Sequence, residues 1–316
     1  MSLLPLSAGG TSRGKRVEVR AKISMATTSI AKSSRNGIVT SRARNQKKRN
    51  YLVRYFIIAI ALVFFGFPTF WIATIAFKNS SEYFRNPPVW IPANPNIQQN
   101  LDKVIRTGGL TAVGNSLIVT VGATLIALLI GTLAAYSIAR YKTGGNNFAF
   151  WILSQRFLPP VAIIFPVFLL FRALRWVDTF QGLIVLYATF SLPFVVWMMR
   201  SYIREVPIEI EESAQVDGAS RLRTLFSITL PLALPGLIAT GIFTFIFNWN
   251  EFLFALVLSR TNVITYPVKM TSYFGPESAF WGEAATVSLI ATLPIVVATI
   301  LMQRYLVTGL TLGAVK

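Results

Sequence analysis

Six long apolar stretches dominate this sequence and constrain its fold more than any other feature. We place them at residues 51–77, 115–139, 148–172, 183–200, 235–258 and 283–304. A helix of about 20 residues crosses the roughly 30 Å of hydrocarbon in a bilayer. The fourth stretch is the least secure, because Arg200 closes it early and Pro193 interrupts it, so five crossings remain an alternative to six. Backbone groups without partners are costly in lipid, so the sequence predicts an all-α polytopic membrane protein.

The second stretch carries a stripe of small side chains at helical spacing. Its members are Ser116, Thr120, Ala123, Ala127, Gly131 and Ala134. Small residues let two helix backbones approach closely in a membrane, where no hydrophobic force drives helices together. We therefore expect this face to pack against another helix.

Charge is sparse outside the N-terminal end. Charged residues make up 13% of the chain, against the roughly 25% usual for soluble domains, which supports the membrane assignment. Lys and Arg concentrate before Tyr55 and in alternate connecting segments. Cytoplasmic flanks of membrane helices hold such an excess, so both termini are predicted to be cytoplasmic.

The first 50 residues hold most of the net charge of +18. They are rich in Ser, nearly free of acidic residues and without a periodic apolar face, which is typical of a disordered arm that rests on anionic lipid. A true start at Met25 and an organellar transit peptide are the alternatives. We assign residues 1–50 to this arm and 51–316 to a transmembrane domain, and the basic excess does not indicate nucleic-acid binding.

The residue types present narrow the chemistry that the chain can perform. It contains no Cys and no His, which excludes thiol and imidazole catalysis. A metal site would have to use oxygen ligands alone, and carboxylates are too sparse in the membrane segments to indicate one. We expect a chain that is not an enzyme and that holds no metal and no cofactor of its own.

A polar loop at residues 204–233 separates the fourth and fifth apolar stretches. After a short acidic helix, Asp217 and Gly218 predict a turn, and Ser220 is suited to cap a second helix. Pro231 and Pro235 are predicted to stop this helix before the next crossing. One edge of the second helix is predicted to be apolar and to carry Leu222, Leu225, Phe226 and Thr229. Carboxylates and arginines mixed with apolar side chains favour a protein interface over a solvated loop or a lipid surface. The 204–233 loop is thus predicted to be a helix-turn-helix docking surface.

The same loop carries a recognisable motif. It reads Glu212-Ser213-Ala214-Gln215-Val216-Asp217-Gly218-Ala219, followed by Leu230-Pro231. This resembles the signature loop of permease subunits of binding-protein-dependent ABC importers, in which Glu-Ala-Ala, three residues and Gly precede an aliphatic residue and Leu-Pro. Ser213 in place of the first Ala, and Leu225 where Phe is frequent, are the departures. Segments 156–160, 248–251, 281–283 and 303–316 are similar to the carbohydrate-importer branch with maltose-transporter-type, six-helix permeases.

The resemblance implies the ABC importer permease fold, with six transmembrane helices and a cytoplasmic coupling helix-turn-helix. It also implies that the 204–233 loop seats in a groove of a separate ATPase, which holds ATP and magnesium. The residues expected in this coupling contact are Glu212, Ser213, Ala214, Asp217, Gly218, Ala219, Leu230 and Pro231. Glu212 and Asp217 are expected to anchor it, and the tail at residues 305–316 to reach toward the ATPase, unless that tail is merely a frayed end.

The partners implied by the resemblance are a second homologous permease, two ATPase subunits and an extracytoplasmic solute-binding protein. The segment 78–114 is the expected outer contact for the binding protein. The substrate implied is a sugar, a polyol or a sugar glycoside, and the location is the inner membrane of a bacterium.

Substrate passage is expected along polar faces of the helices. The predicted inward face of the fifth stretch carries Gly241, Thr244, Asn248, Glu251 and Ala255 at helical spacing. An ionised Glu251 in hydrocarbon would cost about 2.5–3.5 kcal/mol, so it should face protein or water. The residues proposed for the pathway are Arg156, Asn248, Asn250 and Glu251. A structural role within the helix bundle is the alternative for Arg156 and Glu251.

A proton- or ion-coupled secondary transporter is the main alternative function. Such proteins often show internal repeats and use acidic residues inside the bilayer. The sequence shows no clear repeat, and Glu251 is the one acid well inside a predicted crossing. An ion channel or a membrane-embedded hydrolase fits less well, because no filter motif and no His or Cys is present.

Overall fold

The computed structural model describes Met25 and residues 51–312 except 93, 146 and 276–279, and beyond residue 300 it describes the side chain of Gln303 alone. Apart from Met25, the N-terminal arm predicted at 1–50 lies outside these residues. The helices, in chain order, are α1 (Tyr51–Phe77), α2 (Ile97–Arg106), α3 (Gly109–Tyr141), α4 (Phe148–Phe157), α5 (Pro160–Ala173), α6 (Phe180–Glu205), α7 (Ile208–Val216), α8 (Arg221–Leu232), α9 (Leu234–Trp249), α10 (Leu253–Leu258), α11 (Tyr266–Thr271) and α12 (Trp281–Leu312). Internal contacts cluster into two units of the chain, and the boundary between them falls within α1, between Pro68 and Thr69.

The described part of the chain holds four helices that are long and apolar enough to span a membrane singly, or six spans if each of two bent helix pairs counts as one. The single spans are α1, α3, α6 and the part of α12 up to Ile300. Our doubt about the fourth stretch was wrong, because α6 runs for 26 residues through both Pro193 and Arg200. Residues 305–312 of the predicted tail continue α12.

The third predicted crossing is not straight, because its two halves, α4 and α5, meet at 92°. Leu158 and Pro159 adopt extended backbone angles between the halves, and Pro160 occupies the first turn of α5. A proline lacks an N–H donor and forces the residue before it out of the helical region, so two in succession end α4. Pro193, which stands alone, leaves α6 continuous.

The fifth predicted crossing is also broken. α8 and α9 meet at 81°, and Ala233 lies at the bend. The second helix of the loop ends at Leu232, between Pro231 and Pro235, as predicted, and α9 follows. A π-helical stretch at Leu225–Thr229 precedes Pro231. The wider turn of this π-helical stretch accommodates Pro231, which lacks the backbone N–H donor of a regular α-helix.

The centre of the bundle is the contact between α3 and α6. The middle of the small-residue stripe of α3 faces this contact, with Ala123 and Ala127 fully buried, so the stripe packs against a helix as predicted. A Cβ atom added to Gly131 would overlap the side chain of Val195 on α6. Close approach of the two backbones therefore depends on the absence of a side chain at Gly131.

Asp178 joins two loops at the end of the bundle where α6 begins. Its carboxylate accepts backbone N–H hydrogen bonds of 2.9–3.0 Å from four successive residues, Arg260, Thr261, Asn262 and Val263. Burial raises the pKa of this carboxyl, but the N–H donors favour the ionised form more strongly and place its pKa at about 2. The α5–α6 loop is thereby fixed to the segment after α10.

Candidate functional site

The 204–233 loop folds as the predicted helix-turn-helix. α7 begins after Pro207 and ends at Val216, and Gly218 follows with a left-handed φ of +88°. The Ser220 hydroxyl accepts a hydrogen bond from the backbone N–H of Arg223 and caps α8. Because side chains are strained at this φ, Gly218 permits the sharp turn between the helices.

One acidic side chain of α7 points into the protein and ties α7 to α3. Glu211 is 2% exposed, and its Oε1 accepts hydrogen bonds from Arg140 Nε at 2.9 Å and Nη2 at 2.6 Å. Its Oε2 accepts from the Tyr136 hydroxyl at 3.1 Å. Arg140 also donates to the Val206 carbonyl at 2.8 Å. Every partner in this buried ion pair is thus hydrogen-bonded, which holds α7 against the end of α3.

This Glu211–Arg140 pair is the feature that sequence reasoning missed. From the sequence we assign Glu212 to the ATPase contact and give its neighbour Glu211 no role. Glu212 is exposed in the structure, and its role in that contact stays a prediction. Glu211 and Arg140 lie 71 positions apart, and no helical or strand spacing relates them. The sequence did offer one signal. Arg140 follows the second apolar stretch on the side predicted to be cytoplasmic, where the 204–233 loop is also predicted to lie.

The outer face of the 204–233 loop combines charge with exposed apolar groups. Glu212 and Asp217 are exposed, and Val216 between them is 87% exposed. Only part of the predicted apolar edge of α8 contacts the rest of the protein, and Leu222 and Phe226 on that edge are exposed. Leu225 and Thr229 form the part of that edge that is buried. Exposed apolar side chains beside carboxylates suit a protein partner.

The remaining motif residues shape the turn itself. The Ala219 N–H donates to the Ala214 carbonyl at 2.9 Å, and both side chains are half-buried. The Ser213 hydroxyl donates to the Glu209 carbonyl one turn earlier at 2.8 Å, so the serine is satisfied within α7. Leu230 packs against the bundle core and Pro231 is exposed. Their part in an ATPase contact stays a prediction.

Asn248 lies inside the bundle and holds three helices together. Its Oδ1 accepts from the Ser191 hydroxyl of α6 at 2.9 Å, and its Nδ2 donates to Thr124 Oγ1 of α3 at 3.3 Å. Gly241 and Thr244, on the same face of α9, are buried as predicted. With both ends of its amide occupied, Asn248 acts in this structure as a link between helices.

Glu251 does not continue the face of α9, because α9 ends at Trp249 and Glu251 lies in the break before α10. Its two carboxylate oxygens accept the backbone N–H groups of Phe254, at 3.1 Å, and Ala255, at 3.2 Å. Glu251 therefore caps the first turn of α10, where free N–H groups need acceptors. The prediction of one continuous polar face from Gly241 to Ala255 was wrong for this reason.

The other two pathway candidates are exposed. Asn250 donates to the Ile246 carbonyl at 2.8 Å and accepts from the Tyr266 hydroxyl at 3.2 Å. Arg156 lies at the bend between α4 and α5, with its guanidinium carbon 4.7 Å from the ring centre of Phe247 and 5.4 Å from that of Phe194. The structure does not bring Arg156 together with Asn250 or Glu251, since none of their described contacts joins them.

Comparison with known proteins gives a consistent result for fold and sequence. The sequence pattern of one family, described as binding-protein-dependent transport system inner membrane component, matches residues 127–311. The trehalose/maltose transport system permease protein MalG of Thermococcus litoralis is 32% identical over 256 residues, which cover 79% of this chain and 91% of the relative. The diacetylchitobiose uptake system permease protein DasC of Streptomyces coelicolor is 31% identical over 263 residues, which cover 82% and 95%.

A solved structure has the same fold. A bacterial ABC transporter involved in the import of the acidic polysaccharide alginate contains a chain that superposes with a TM-score of 0.68 at 20% identity. The match covers 80% of this chain and 95% of that chain. It supports the predicted ABC importer permease fold.

Proposed function

This chain belongs to the family of binding-protein-dependent transport system inner membrane components, and from that membership we propose that it is a permease subunit of an ATP-driven sugar importer. The substrate class is a sugar, a polyol or a sugar glycoside, which follows from the sugar-transport names of its relatives. The chain forms half of the translocation pathway and leaves catalysis to its partners. No observation favours the secondary-transporter alternative.

The 204–233 loop carries the proposal on the energy supply. Its exposed face, with Glu212, Val216 and Asp217, is what a groove on a separate ATPase would bind. ATP and magnesium belong to that subunit. Closure of the ATPase pushes on α7, and the Glu211–Arg140 pair passes the displacement to α3, which packs along α6 in the bundle centre.

The remaining partners follow from the proposed importer. They are a second homologous permease, two ATPase subunits and an extracytoplasmic solute-binding protein that meets the outer surface around α2. Both termini and the 204–233 loop lie on the cytoplasmic side of a bacterial inner membrane, with the basic N-terminal arm near anionic lipid.

Site-specific cross-linking tests the proposed docking directly. The chain has no cysteine, so Val216→Cys can carry a single thiol-attached photo-cross-linker within the whole importer. We expect a cross-link to the ATPase subunit. Phe274→Cys is the matched control, because Phe274 is exposed and follows α11 near the outer end of the bundle. Equal cross-linking from both positions, or none from residue 216, would overturn the docking proposal.

A further inference from the structure

Arg156 is an exposed cation that has two aromatic rings beside it and no carboxylate partner among the described residues. Its guanidinium lies over Phe247 of α9 and Phe194 of α6. The two rings contact each other edge to face with centroids 5.3 Å apart, and Phe243, one turn away on α9, contacts Phe194 in the same way at 6.4 Å. We call these four residues, Arg156, Phe194, Phe243 and Phe247, the Arg156 platform.

The Arg156 platform lies deep within the membrane. At about 1.5 Å per residue, Phe194 is about 17 Å from Glu205 at one end of α6 and about 21 Å from Phe180 at the other. Arg156 lies in the last turn of α4, and its contact with Phe194 places the guanidinium at this depth rather than near a membrane surface, where a long cation can reach water. Arg156 therefore cannot extend to either surface as terminal Lys and Arg residues do.

A charged group at this depth is unfavourable against lipid, so the side of the bundle that carries Arg156 faces protein or water. Phe243 and Phe247 are each 44% exposed beside it, so the platform is open on that side. In a pathway built from two permeases, the surface of one half that faces water is the pathway wall. Two other predicted pathway residues are less suited to contact a substrate, because the Asn248 amide is enclosed between helices and the Glu251 carboxylate caps α10.

We propose that the Arg156 platform is a sugar subsite on the pathway wall of this subunit, a role that rests on the proposed import function. A sugar ring has an apolar C–H face and a rim of hydroxyl oxygens. The apolar face packs on Phe247 and Phe243, which removes apolar surface from water. Arg156 donates to the hydroxyl oxygens through the N–H groups at the free edge of its planar fork.

This chemistry suits a substrate in transit. The aromatic rings accept many sugar rings without fixing one stereochemistry, and hydrogen bonds from one guanidinium hold the sugar only briefly. The cation–π contacts keep Arg156 in place while no sugar is bound. The Arg156 platform is thus a transient binding site inside the membrane, separate from the selective site on the solute-binding protein.

Uptake by the whole reconstituted importer tests the proposal. The probes are radiolabelled trehalose, maltose and diacetylchitobiose, presented with the binding protein. We expect Arg156→Gln to lower uptake by about tenfold, the size of a lost hydrogen bond from a charged donor, in an importer whose assembly is checked by co-purification of its subunits. Arg156→Lys, which keeps the charge and donors, should recover part of the rate. Arg172→Gln, at the exposed end of α5, is the matched control and should transport normally.

Thiol labelling supplies a readout that a merely structural role would not move. In a cysteine-free importer, Phe243→Cys should react with a charged, membrane-impermeant methanethiosulfonate, and the transported sugar should slow that reaction at least about fivefold. Leu125→Cys, at an exposed apolar position of α3, is the control and should react slowly with or without sugar. If Phe243→Cys does not assemble, Phe247→Cys takes its place.

The outcomes separate the two claims. Absence of ATP-dependent sugar uptake by the wild-type importer contradicts the proposed function. Normal uptake by Arg156→Gln in an importer whose wild type transports sugar overturns the subsite alone. Labelling at residue 243 that is absent, or that sugar does not slow, also overturns the subsite.

Discussion

Removing Glu211 should disconnect the docking loop from the membrane helices. Glu211→Ala leaves the Arg140 guanidinium, 8% exposed, with only the Val206 carbonyl, and it deprives the Tyr136 hydroxyl of its acceptor. Breaking a buried ion pair on one side costs about 3–5 kcal/mol, since the remaining charge is uncompensated. At about 1.4 kcal/mol per factor of ten, even 3 kcal/mol lowers the ratio of docked to undocked α7 by about 100-fold.

Two measurements check this prediction. Hydrogen exchange of the α7 amides in the purified importer should accelerate by about 100-fold in Glu211→Ala. Stimulation of ATP hydrolysis by the loaded binding protein should fall with it, because the ATPase would push on a loop that no longer moves α3. Glu209→Ala is the matched control, since Glu209 is an exposed carboxylate on the same helix.

A double variant separates a lost ion pair from lost packing. Arg140→Met combined with Glu211→Leu removes both charges and keeps similar volumes, and such replacements of buried pairs are often neutral or stabilising. We expect it to restore much of the protection and coupling that Glu211→Ala loses. Exchange and coupling in Glu211→Ala that match those of Glu209→Ala would refute the reasoning.

Four further variants test the turn, the helix contact and the outer loops. Gly218→Ala should cost about 1–2 kcal/mol through its left-handed φ alone, because a Cβ there meets nothing within 4 Å. Gly218→Trp should abolish uptake while the chain still inserts, since only a docked ATPase would clash with the indole; normal uptake would contradict the coupling role. Gly131→Ala should lower the thermal midpoint by overlapping Val195, at a cost of about 1–3 kcal/mol, whereas Gly114→Ala, with open space around it, should not. Asp178→Asn should lower the thermal unfolding midpoint above about pH 5 but not near pH 2. Because the pKa of Asp178 is depressed, the stability that its carboxylate contributes is present above the usual pKa near 4 and is lost as the pH falls through about 2. A constant difference between the two midpoints across this pH range would refute the prediction.

The sequence predicted those parts of the fold that depend on apolar length or on contacts within a few residues. The spans α1, α3 and α6 follow from apolar length, and the turn at Gly218 and the cap at Ser220 follow from side chains that act within a few residues. Prolines were less informative, because the same residue type leaves α6 continuous at Pro193 and breaks the third span at Pro159. The difference lies in a second proline next to Pro159.

Long-range partners were beyond reach of the sequence. Glu211 and Glu212 are identical residues side by side, and only the position of Arg140 on α3 makes the first a buried anchor and leaves the second exposed. Glu251 was predicted to line a helix face because the helix was assumed to continue, whereas its carboxylate caps the helix that begins after the break. The Glu251 prediction thus failed at a local helix break, whereas the burial of Glu211 depends on a partner 71 positions away.

Uptake in sealed proteoliposomes tests the central claim most directly. The purified importer, with its ATPase subunits and binding protein, is given radiolabelled sugar outside and ATP inside. The proposed function predicts uptake that requires ATP hydrolysis, continues when ionophores collapse proton and sodium gradients, and is lost in Gly218→Trp. Uptake that proceeds without ATP and stops when the gradients collapse would contradict it and indicate a secondary transporter.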